Sequence, residues 1–458
     1  MREPYLPYKI KIPKKYLVYK IKSPKSILYI RCFLYICRKI IDMDKEFVRN
    51  IIVENQQLIQ SIELIERPFE FEDNGNYVFV GVRQAGKSYM LYQRAKQLLK
   101  AGYDIDQIVY ISFDDERINE IKSNELDIII QAHRLLTDLQ PVLFLDEIQN
   151  IDGWEHFARR LANEKYTVYI TGSNAKMLSR DIQTTLGGRY WDIAVYPFSF
   201  AEFLKAKNVK LEKNWQFSKT QGTVARVFEE YFYFGGFPEL LNIKAKRQWL
   251  TNIYNKIFFS DIVVRNSVRS EEALRITVKR LATCVMQPTS YNRLTNLVKS
   301  TGININATTV ANFIQYLKDA CLLFSIENYA DKFVDKQTTK KHYFVDNGLL
   351  NLFLTNPETA LLENICAIFL YKNFGSGLYY YNKNIEVDFF VADEKIGVQV
   401  SYSIDDSETM ERELKALVAL NKFFPLNRAL VITKNTEEIV EYQGLKIEII
   451  PIWKWILL

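Results

Sequence analysis

Four residues of one short stretch have the types and the spacing of a phosphate-binding loop. Gly81, Gly86, Lys87 and Ser88 fit the pattern G-x-x-x-x-G-K-[ST] within Tyr77–Tyr92. In this pattern the loop amides surround a phosphate chain, the lysine reaches the outer phosphates, and the serine hydroxyl binds magnesium. The glycines let the backbone approach the phosphates, and the amides that begin the next helix attract the anion. The stretch therefore predicts a nucleoside-triphosphate site, with an ordinary glycine turn as the alternative.

An apolar run that ends in two carboxylates, VLFLDE, predicts the second half of such a site. Asp146 follows Lys87 by 59 residues (146 − 87) at the end of a predicted buried strand. There Asp146 would hold Mg²⁺ together with Ser88, and Glu147 would polarise the attacking water. The alternative is a strand that ends in a solvated acidic turn. The residues predicted to bind the nucleotide are those of the whole loop: Gly81, Val82, Arg83, Gln84, Ala85, Gly86, Lys87 and Ser88.

Two further residues are candidates for the hydrolysis step. Asn174 follows the next predicted strand and would sense the γ-phosphate, although a turn asparagine after Gly172 is an equally simple explanation. Arg189, in the segment LGGRY, would reach a phosphate of a neighbouring copy as an arginine finger, which implies a homo-oligomer. A surface arginine without such a role is the alternative.

The elements that must position these residues alternate between strand and helix. This alternation predicts a parallel sheet that is covered on both faces. Ligands of such sheets bind at the carboxyl ends of the strands, which is where Gly81, Asp146 and Asn174 fall. Strands are predicted before the loop and at 106–113, 141–145 and 166–170, and helices after the loop to about Lys100, near 124–139 and at 154–164.

The composition is that of an ordinary globular protein. A chain of 458 residues with 48% hydrophobic and 25% charged residues allows about three domains. Five cysteines without a C-x-x-C spacing and three histidines indicate neither a disulfide scaffold nor a zinc site, so a reducing cytoplasm is expected.

The net charge of +6 comes from the first 42 residues, which hold 11 Lys and Arg against 2 acidic residues. The rest of the chain has 49 Lys and Arg (60 − 11) against 52 Asp and Glu (54 − 2), or −3. The apolar run Ser26–Cys37 is interrupted by Arg31 and is shorter than the about 20 residues that span a bilayer. No small-residue cleavage site supports a signal peptide. Because an amphipathic helix begins at Met43, residues 1–42 are interpreted as a basic extension or a mis-called start, without stable membrane insertion.

Several segments together resemble the AAA+ superfamily of ATPases, in its large group of poorly characterised archaeal and bacterial members. The resemblance covers residues 43–458 and implies ATP and Mg²⁺ as ligands. It also implies an α/β fold with a P-loop NTPase parallel sheet, a helical lid, a winged helix and a C-terminal α/β domain like restriction endonucleases. The segments are GVRQAGKS, VLFLDEIQNIDGWEHFARRL, YITGSNAKMLSRDI, LGGRYWDIAVYPFSFAEFL, YFYFGGFPEL, KHYFVDNGLLN, LLENICAIFLYKN, EVDFF and VQVSYS.

The resemblance divides residues 43–458 into four parts, which the extension at 1–42 precedes. Asp261 and Arg265, in FFSDIVVRN, resemble a motif that recurs in this group; its role is open, and a salt-bridged helix face is the simplest explanation. The expected parts are, after the extension at 1–42, the AAA+ core at 43–205, the lid at 206–272, the winged-helix module at 273–345 and the restriction-endonuclease-like domain at 346–458.

The predicted winged helix does not by itself indicate DNA binding. Residues 290–329 read as helix, turn, helix and strand, and 343–345 would supply the returning wing strand. The second helix exposes Thr308, Thr309, Asn312 and Gln315 but a single cation, Lys318, whereas DNA affinity depends largely on Lys and Arg. DNA and a partner protein both stay open as ligands.

The sequence of the terminal domain predicts a degenerate nuclease site at Glu363, Asp388 and Gln399, near Glu386. Restriction-type nucleases use two carboxylates to bind the metal and a lysine beside the attacking water. Here the second strand has Gln399-Val400-Ser401 instead of Glu-x-Lys, so a charge and a cation are missing. Lys383 and Lys395 are the conceivable replacements. No cleavage is expected, and a structural or nucleic-acid-holding role is favoured.

The combined prediction is Mg²⁺-dependent ATP binding and hydrolysis that rearranges the C-terminal modules on DNA or on a partner protein. A switch or scaffold that responds to ATP occupancy with slow turnover is the alternative, and an ATP-regulated nuclease is a third possibility. The physiological substrate is not encoded in these motifs.

Overall fold

The structure is a computed structural model that describes residues 44–118 and 120–458. The predicted extension at 1–42 lies outside these residues. In the described part, no helix is long and apolar enough to cross a membrane. The helices are α1 (Lys45–Ser61), α2 (Lys87–Lys100), α3 (Asp127–His133), α4 (Trp154–Asn163), α5 (Arg180–Leu186), α6 (Phe200–Ala206), α7 (Lys219–Phe234), α8 (Lys246–Lys256), α9 (Glu271–Thr283), α10 (Tyr291–Lys299), α11 (Ala307–Asp319), α12 (Phe333–Thr338), α13 (Asn347–Asn351), α14 (Glu358–Phe374), α15 (Ser407–Phe423) and α16 (Ile452–Trp455).

The first sheet has five parallel strands in the order β2-β3-β4-β1-β5. Every residue of β1 and β3 is buried, because helices cover both faces and apolar side chains can point either way. The alternating pattern of the sequence predicted this parallel sheet, and the structure confirms it. The strands are β1 (Tyr77–Val80), β2 (Ile108–Ser112), β3 (Val142–Asp146), β4 (Thr167–Gly172) and β5 (Trp191–Ala194).

One predicted helix of the core is much shorter in the structure. Residues 124–139 contain a helix only at Asp127–His133. Leu135 and Leu139 are each 49% exposed, so the apolar stripe that would anchor further turns ends there. The chain leaves the helix because packing, rather than propensity, stabilises most helices.

In the region predicted as the lid, α8 continues into a π-helix, Ile257–Val264, that the sequence did not predict. Such helices are rare and occur frequently at functional sites. Before it, α7 ends at Gly235, whose φ of +77° favours glycine. A side chain at Gly235 would also place its Cβ 2.0 Å from Asp346 Oδ1.

The second sheet has nine strands in the order β13-β14-β12-β11-β10-β9-β7-β8-β6. Strand β7 pairs in parallel with β9 through Glu327↔Tyr379 and Asn328↔Tyr380, so the predicted wing hairpin and the terminal strands form one continuous sheet. The strands are β6 (Thr289–Ser290), β7 (Leu323–Asn328), β8 (Thr339–Phe344), β9 (Leu378–Asn382), β10 (Glu386–Val391), β11 (Ile396–Val400), β12 (Arg428–Thr433), β13 (Glu438–Tyr442) and β14 (Leu445–Pro451).

Candidate nucleotide-binding site

The glycine-rich loop lies between β1 and α2 at the carboxyl edge of the first sheet. Gly86 has φ +96°, which only glycine adopts without strain, and α2 begins at the next residue. Packing also requires glycine at position 81, because a Cβ there would lie 1.9 Å from the carbonyl oxygen of Val195. The Lys87 ammonium donates hydrogen bonds to the carbonyls of Gly81 (3.1 Å) and Val82 (3.2 Å).

Asp146, at the end of β3, is surrounded by hydroxyl groups. Its carboxylate accepts hydrogen bonds from Ser88 Oγ at 2.8 Å, from Tyr110 at 2.6 Å and from Thr171. Burial and the Glu147 charge raise the pKa of Asp146, although the three hydroxyls lower it. Oxygen donors are the ligands that Mg²⁺ prefers, so Ser88 and Asp146 have the chemistry to hold this ion.

Tyr110 and Thr171 were not anticipated as site residues. Both lie in buried strands, β2 and β4, where the apolar runs IVYIS and TVYITG surround them. A hydroxyl in such a run must find a partner when it is buried. That requirement was the signal in the sequence, but their common partner, Asp146, could be recognised only in three dimensions.

Glu147 is held beside Lys87 in the left-handed backbone region, with φ +53°. Its Oε1 lies 3.3 Å from Lys87 Nζ, and its Oε2 accepts a hydrogen bond from Gln149 Nε2 at 2.5 Å. Burial raises the pKa of Glu147, but Lys87, Gln149 and Arg83 outweigh it, and the pKa lies below its usual range. Glu147 is therefore a carboxylate near neutral pH and can accept a proton.

These groups line one cavity of about 660 Å³. Lys87, Ser88, Asp146 and Glu147 contribute its polar end. The volume is in the range of small-molecule sites, and walls from different parts of the chain would enclose a ligand. The other walls come from the segment before β1 (Glu63, Leu64 and Ile65) and from the lid (Pro238, Leu241, Ile253 and Lys256).

The third residue of the loop is bound to the lid. Arg83 donates from Nε and Nη2 to the two carboxylate oxygens of Asp261, at 2.6 and 3.0 Å. Asp261 belongs to the π-helix, its side chain is 2% exposed, and Arg265 approaches it at 3.4 Å. The recurring pair Asp261 and Arg265 is thus salt-bridged, but the principal partner is Arg83 of the loop, which the sequence did not predict.

Asn174 and Arg189 make only local contacts. Asn174 caps a short helical turn and accepts a hydrogen bond from the amide of Lys176 at 2.9 Å. Arg189 is exposed, and its guanidinium donates to the carbonyls of Leu186 and Gly187 in its own turn. Neither residue lines the 660 Å³ cavity.

The predicted degenerate site in the terminal domain contains a lysine that the sequence did not indicate. Lys341 of β8 is fully buried, and its Nζ lies 3.2 Å from Asp388, 3.4 Å from Glu363 and 3.7 Å from Glu386. Burial lowers the pKa of Lys341, but the three carboxylates outweigh it and the pKa is raised. We call these four residues the Lys341 cluster.

Two of the three predicted residues, Glu363 and Asp388, belong to the Lys341 cluster, and the third, Gln399, lies beside it. Gln399 accepts from the Asp388 amide at 2.8 Å and donates to Glu413 at 2.7 Å. Lys383 and Lys395 are exposed, and the ion pairs of the cluster within the described residues are made by Lys341. Within residues 44–118 and 120–458, no group of three or more His, Cys, Asp or Glu residues has the arrangement of a metal site.

Comparison with known proteins places the chain in a class. An AAA domain family matches residues 73–204, which contain the loop and both acidic residues of the cavity, and a domain of unknown function matches residues 225–360. The fold and this match define a P-loop ATPase of the AAA+ superfamily.

The chain belongs to the same family as an uncharacterized protein of Methanocaldococcus jannaschii, with 31% identity over 432 residues, 90% of this chain and 96% of the relative. An uncharacterized protein of Haemophilus influenzae is 28% identical over 414 residues, 88% of this chain and 100% of the relative. Among solved structures, a Walker-type ATPase of Pyrococcus abyssi is 14% identical, with a TM-score of 0.41 over 68% of this chain and 95% of that chain.

Proposed function

We propose that the chain binds ATP with Mg²⁺, hydrolyses it to ADP and phosphate, and uses this cycle to rearrange its C-terminal modules. One observation carries the proposal: a cation, a hydroxyl and two carboxylates from separate segments meet in one cavity. Ser88 Oγ lies 2.8 Å from Asp146, and Lys87 Nζ lies 3.3 Å from Glu147.

Each residue of the cavity has a role in this proposal. Lys87 binds the outer phosphates, and the loop from Gly81 to Ser88 surrounds the phosphate chain. Ser88 and Asp146 hold Mg²⁺, which would neutralise charge on the phosphates when bound. Glu147 accepts a proton from the attacking water; its lowered pKa keeps the side chain ionised and able to accept, and also makes it a weaker base.

A steady-state ATPase assay of the full chain, with and without duplex DNA, tests the proposal. We expect Mg²⁺-dependent release of phosphate that is lost when EDTA is added. Absence of turnover in the presence of demonstrated ATP binding would reject hydrolysis and leave the alternative described next.

A binding switch with slow turnover is the second candidate, and the contacts of Glu147 favour it. Both of its carboxylate oxygens are engaged, by Lys87 and Gln149. If these contacts persist when ATP is bound, each carboxylate oxygen already has a partner and is a weaker acceptor for a water molecule. Typical enzymes have kcat values of about 1 s⁻¹ or more, so a kcat for ATP hydrolysis far below this value would support this candidate.

Duplex DNA is the ligand that we propose for the helices of residues 273–318. The helices that contain this stretch, α9 to α11, hold six Lys and Arg against three acidic residues, Glu271, Glu272 and Asp319. Lys279, Arg293 and Lys299 are exposed, and such an excess of cations suits a phosphate backbone. Binding should weaken steeply between 50 and 200 mM salt, as is usual for several phosphate contacts, and a charge-reversed variant of these three residues should lose it.

The remaining assignments are proposals of narrower scope. Asn174 would sense the γ-phosphate if its turn moved toward the cavity, and Arg189 would need a second copy of the chain to reach a phosphate. We propose that the Lys341 cluster is structural, because its ammonium takes the place between carboxylates that a catalytic metal would need. A cytoplasmic homo-oligomer is consistent with these roles.

A further inference from the structure

We infer that the Arg83 side chain is a catalytic group that contacts the terminal phosphate of the bound triphosphate within the same chain, and that Asp261 positions it. This inference rests on the proposed function and extends it. It assigns the role of the arginine finger to a residue of the loop itself, presented by the lid, instead of to a second copy of the protein.

The guanidinium of Arg83 is bound on one side and available on the other. Nε and Nη2 face Asp261, while Nη1 lies 3.7 Å from Asp114 Oδ2, beyond good hydrogen-bonding distance. An arginine has five N–H donors in a fixed fork, and Asp261 uses one edge of this fork. Donors on Nη1 are therefore available to an anion.

Arg83 is one of the residues around the cavity in which hydrolysis would occur. It lines the cavity together with Lys87 and Glu147, and its side chain is 15% exposed. Burial lowers the pKa of Arg83, but the charges of Asp261, Glu147 and Asp114 outweigh it and raise the pKa. The influence of Glu147 indicates that the guanidinium and the predicted base share one electrostatic environment.

Asp261 has the properties of a positioning residue. Its side chain is almost fully buried, it binds Arg83 through both oxygens, and the π-helix fixes its backbone. A bidentate pair restricts the orientation of the guanidinium plane more than a single contact does. By contrast, Arg189 is bound to carbonyls of its own turn and does not line the cavity.

Nucleotide discrimination by an Arg83→Ala variant tests the inference. Affinities of the full chain for ADP and for a non-hydrolysable ATP analogue are measured by calorimetry with Mg²⁺. We expect the analogue to bind at least ~10-fold more weakly and ADP to bind as in the wild type, and we expect kcat to fall by about 10²-fold, as for loss of one transition-state donor. Equal weakening for both nucleotides, or an unchanged kcat, would overturn the inference.

Two further variants separate catalysis from folding. Asp261→Asn should lower kcat, and adding it to Arg83→Ala should cause no further loss, because it acts through Arg83; additive losses would contradict the positioning role. The control is Arg117→Ala, which removes an Arg–Asp pair outside the cavity and should change neither kcat nor the preference for the analogue. A control that loses the preference would also count against a specific role of Arg83.

The outcome for Arg83 can be separated from the outcome for the proposed function. A wild-type chain that binds ATP without turnover contradicts the proposed hydrolysis, and the comparison of the analogue with ADP still decides whether Arg83 contacts the terminal phosphate. A wild-type chain that hydrolyses ATP, together with an Arg83→Ala variant of equal kcat, overturns the inference alone.

Discussion

Lys87 and Lys341 are two buried lysines of the described residues that each contact at least one carboxylate, and they differ in what else they contact. Lys87 has one carboxylate, Glu147, and two backbone carbonyls as partners. Lys341 has three carboxylates. An incoming phosphate can replace the neutral carbonyls around Lys87, whereas near Lys341 it would meet three like charges.

The backbone around Lys87 also favours an anion, whereas the backbone around Lys341 does not. Lys87 is the first residue of α2, where free amides and the positive end of the helix dipole favour an anion. Lys341 lies in β8, where the backbone is paired with β7. A lysine among carboxylates is therefore not in itself a phosphate site. Phosphate binding also requires neighbouring hydrogen-bond donors and a cavity.

Removal of the Lys87 ammonium should have the largest effect. Lys87→Ala should abolish ATP binding, because the ammonium contacts the phosphates in the ground state. Calorimetric titration with Mg²⁺ and ATP measures the loss, and circular dichroism should show an unchanged fold. Binding at the wild-type affinity would mean that the cavity does not use its lysine as proposed.

Neutralising the proposed base should separate binding from turnover. Glu147→Gln should bind ATP as the wild type does and reduce hydrolysis by about 10²-fold or more, since general base catalysis contributes this much. Phosphate release and ATP affinity are measured on the same preparation. Turnover at the wild-type rate would show that another group accepts the proton.

The Lys341 cluster should matter for stability rather than for ligand binding. Lys341→Met leaves Glu363 and Asp388 without their buried cation and should destabilise the fold by about 3–5 kcal/mol, the usual cost of breaking a buried pair. Urea unfolding measures the change. The matched control is Lys415→Met, which removes an exposed pair with Glu411 and should leave the urea midpoint almost unchanged, because solvent screens such a pair. Equal effects of the two variants would contradict the structural role.

His342, which follows Lys341 in the sequence, should make the stability of the fold depend on pH. Burial, with the charges of Lys318 and Lys340, lowers the pKa of His342 from 6.5 to about 3. Between pH 6.5 and about pH 3, His342 is protonated in the unfolded chain and neutral in the folded chain. The free energy of unfolding therefore decreases as the pH falls through this range, by ~1.4 kcal/mol per pH unit. His342→Gln should flatten the fall in melting temperature between pH 7 and pH 5. A parallel decline of both proteins would show that other groups govern it.

The last prediction is that the protein has no nuclease activity. The purified chain should cut neither single- nor double-stranded DNA with Mg²⁺ or Mn²⁺, because Lys341 occupies the space between the carboxylates and Gln399 is engaged by Glu413. Gel assays of wild-type chain and Lys87→Ala test this. Metal-dependent cutting that is lost in Asp388→Ala and retained in Lys87→Ala would establish a nuclease site beside the ATP site.

Local spacing determined the parts of this protein that depend on neighbouring residues. The loop from Gly81 to Ser88, the strand that ends at Asp146 and the alternation of strands with helices are short-range patterns, and the parallel sheet follows from them. Amphipathic periodicity likewise indicated a helix after Met43, which the structure has at Lys45–Ser61.

Contacts between distant segments were decided only by the tertiary structure. Arg83 and Asp261 are 178 residues apart, and Lys341 reaches Asp388 across 47 residues. No periodicity or motif links such positions, because each side chain finds its partner through the packing of the lid and of the nine-stranded sheet. The π-helix and the early end of α3 have the same origin, since packing outweighs local propensity there.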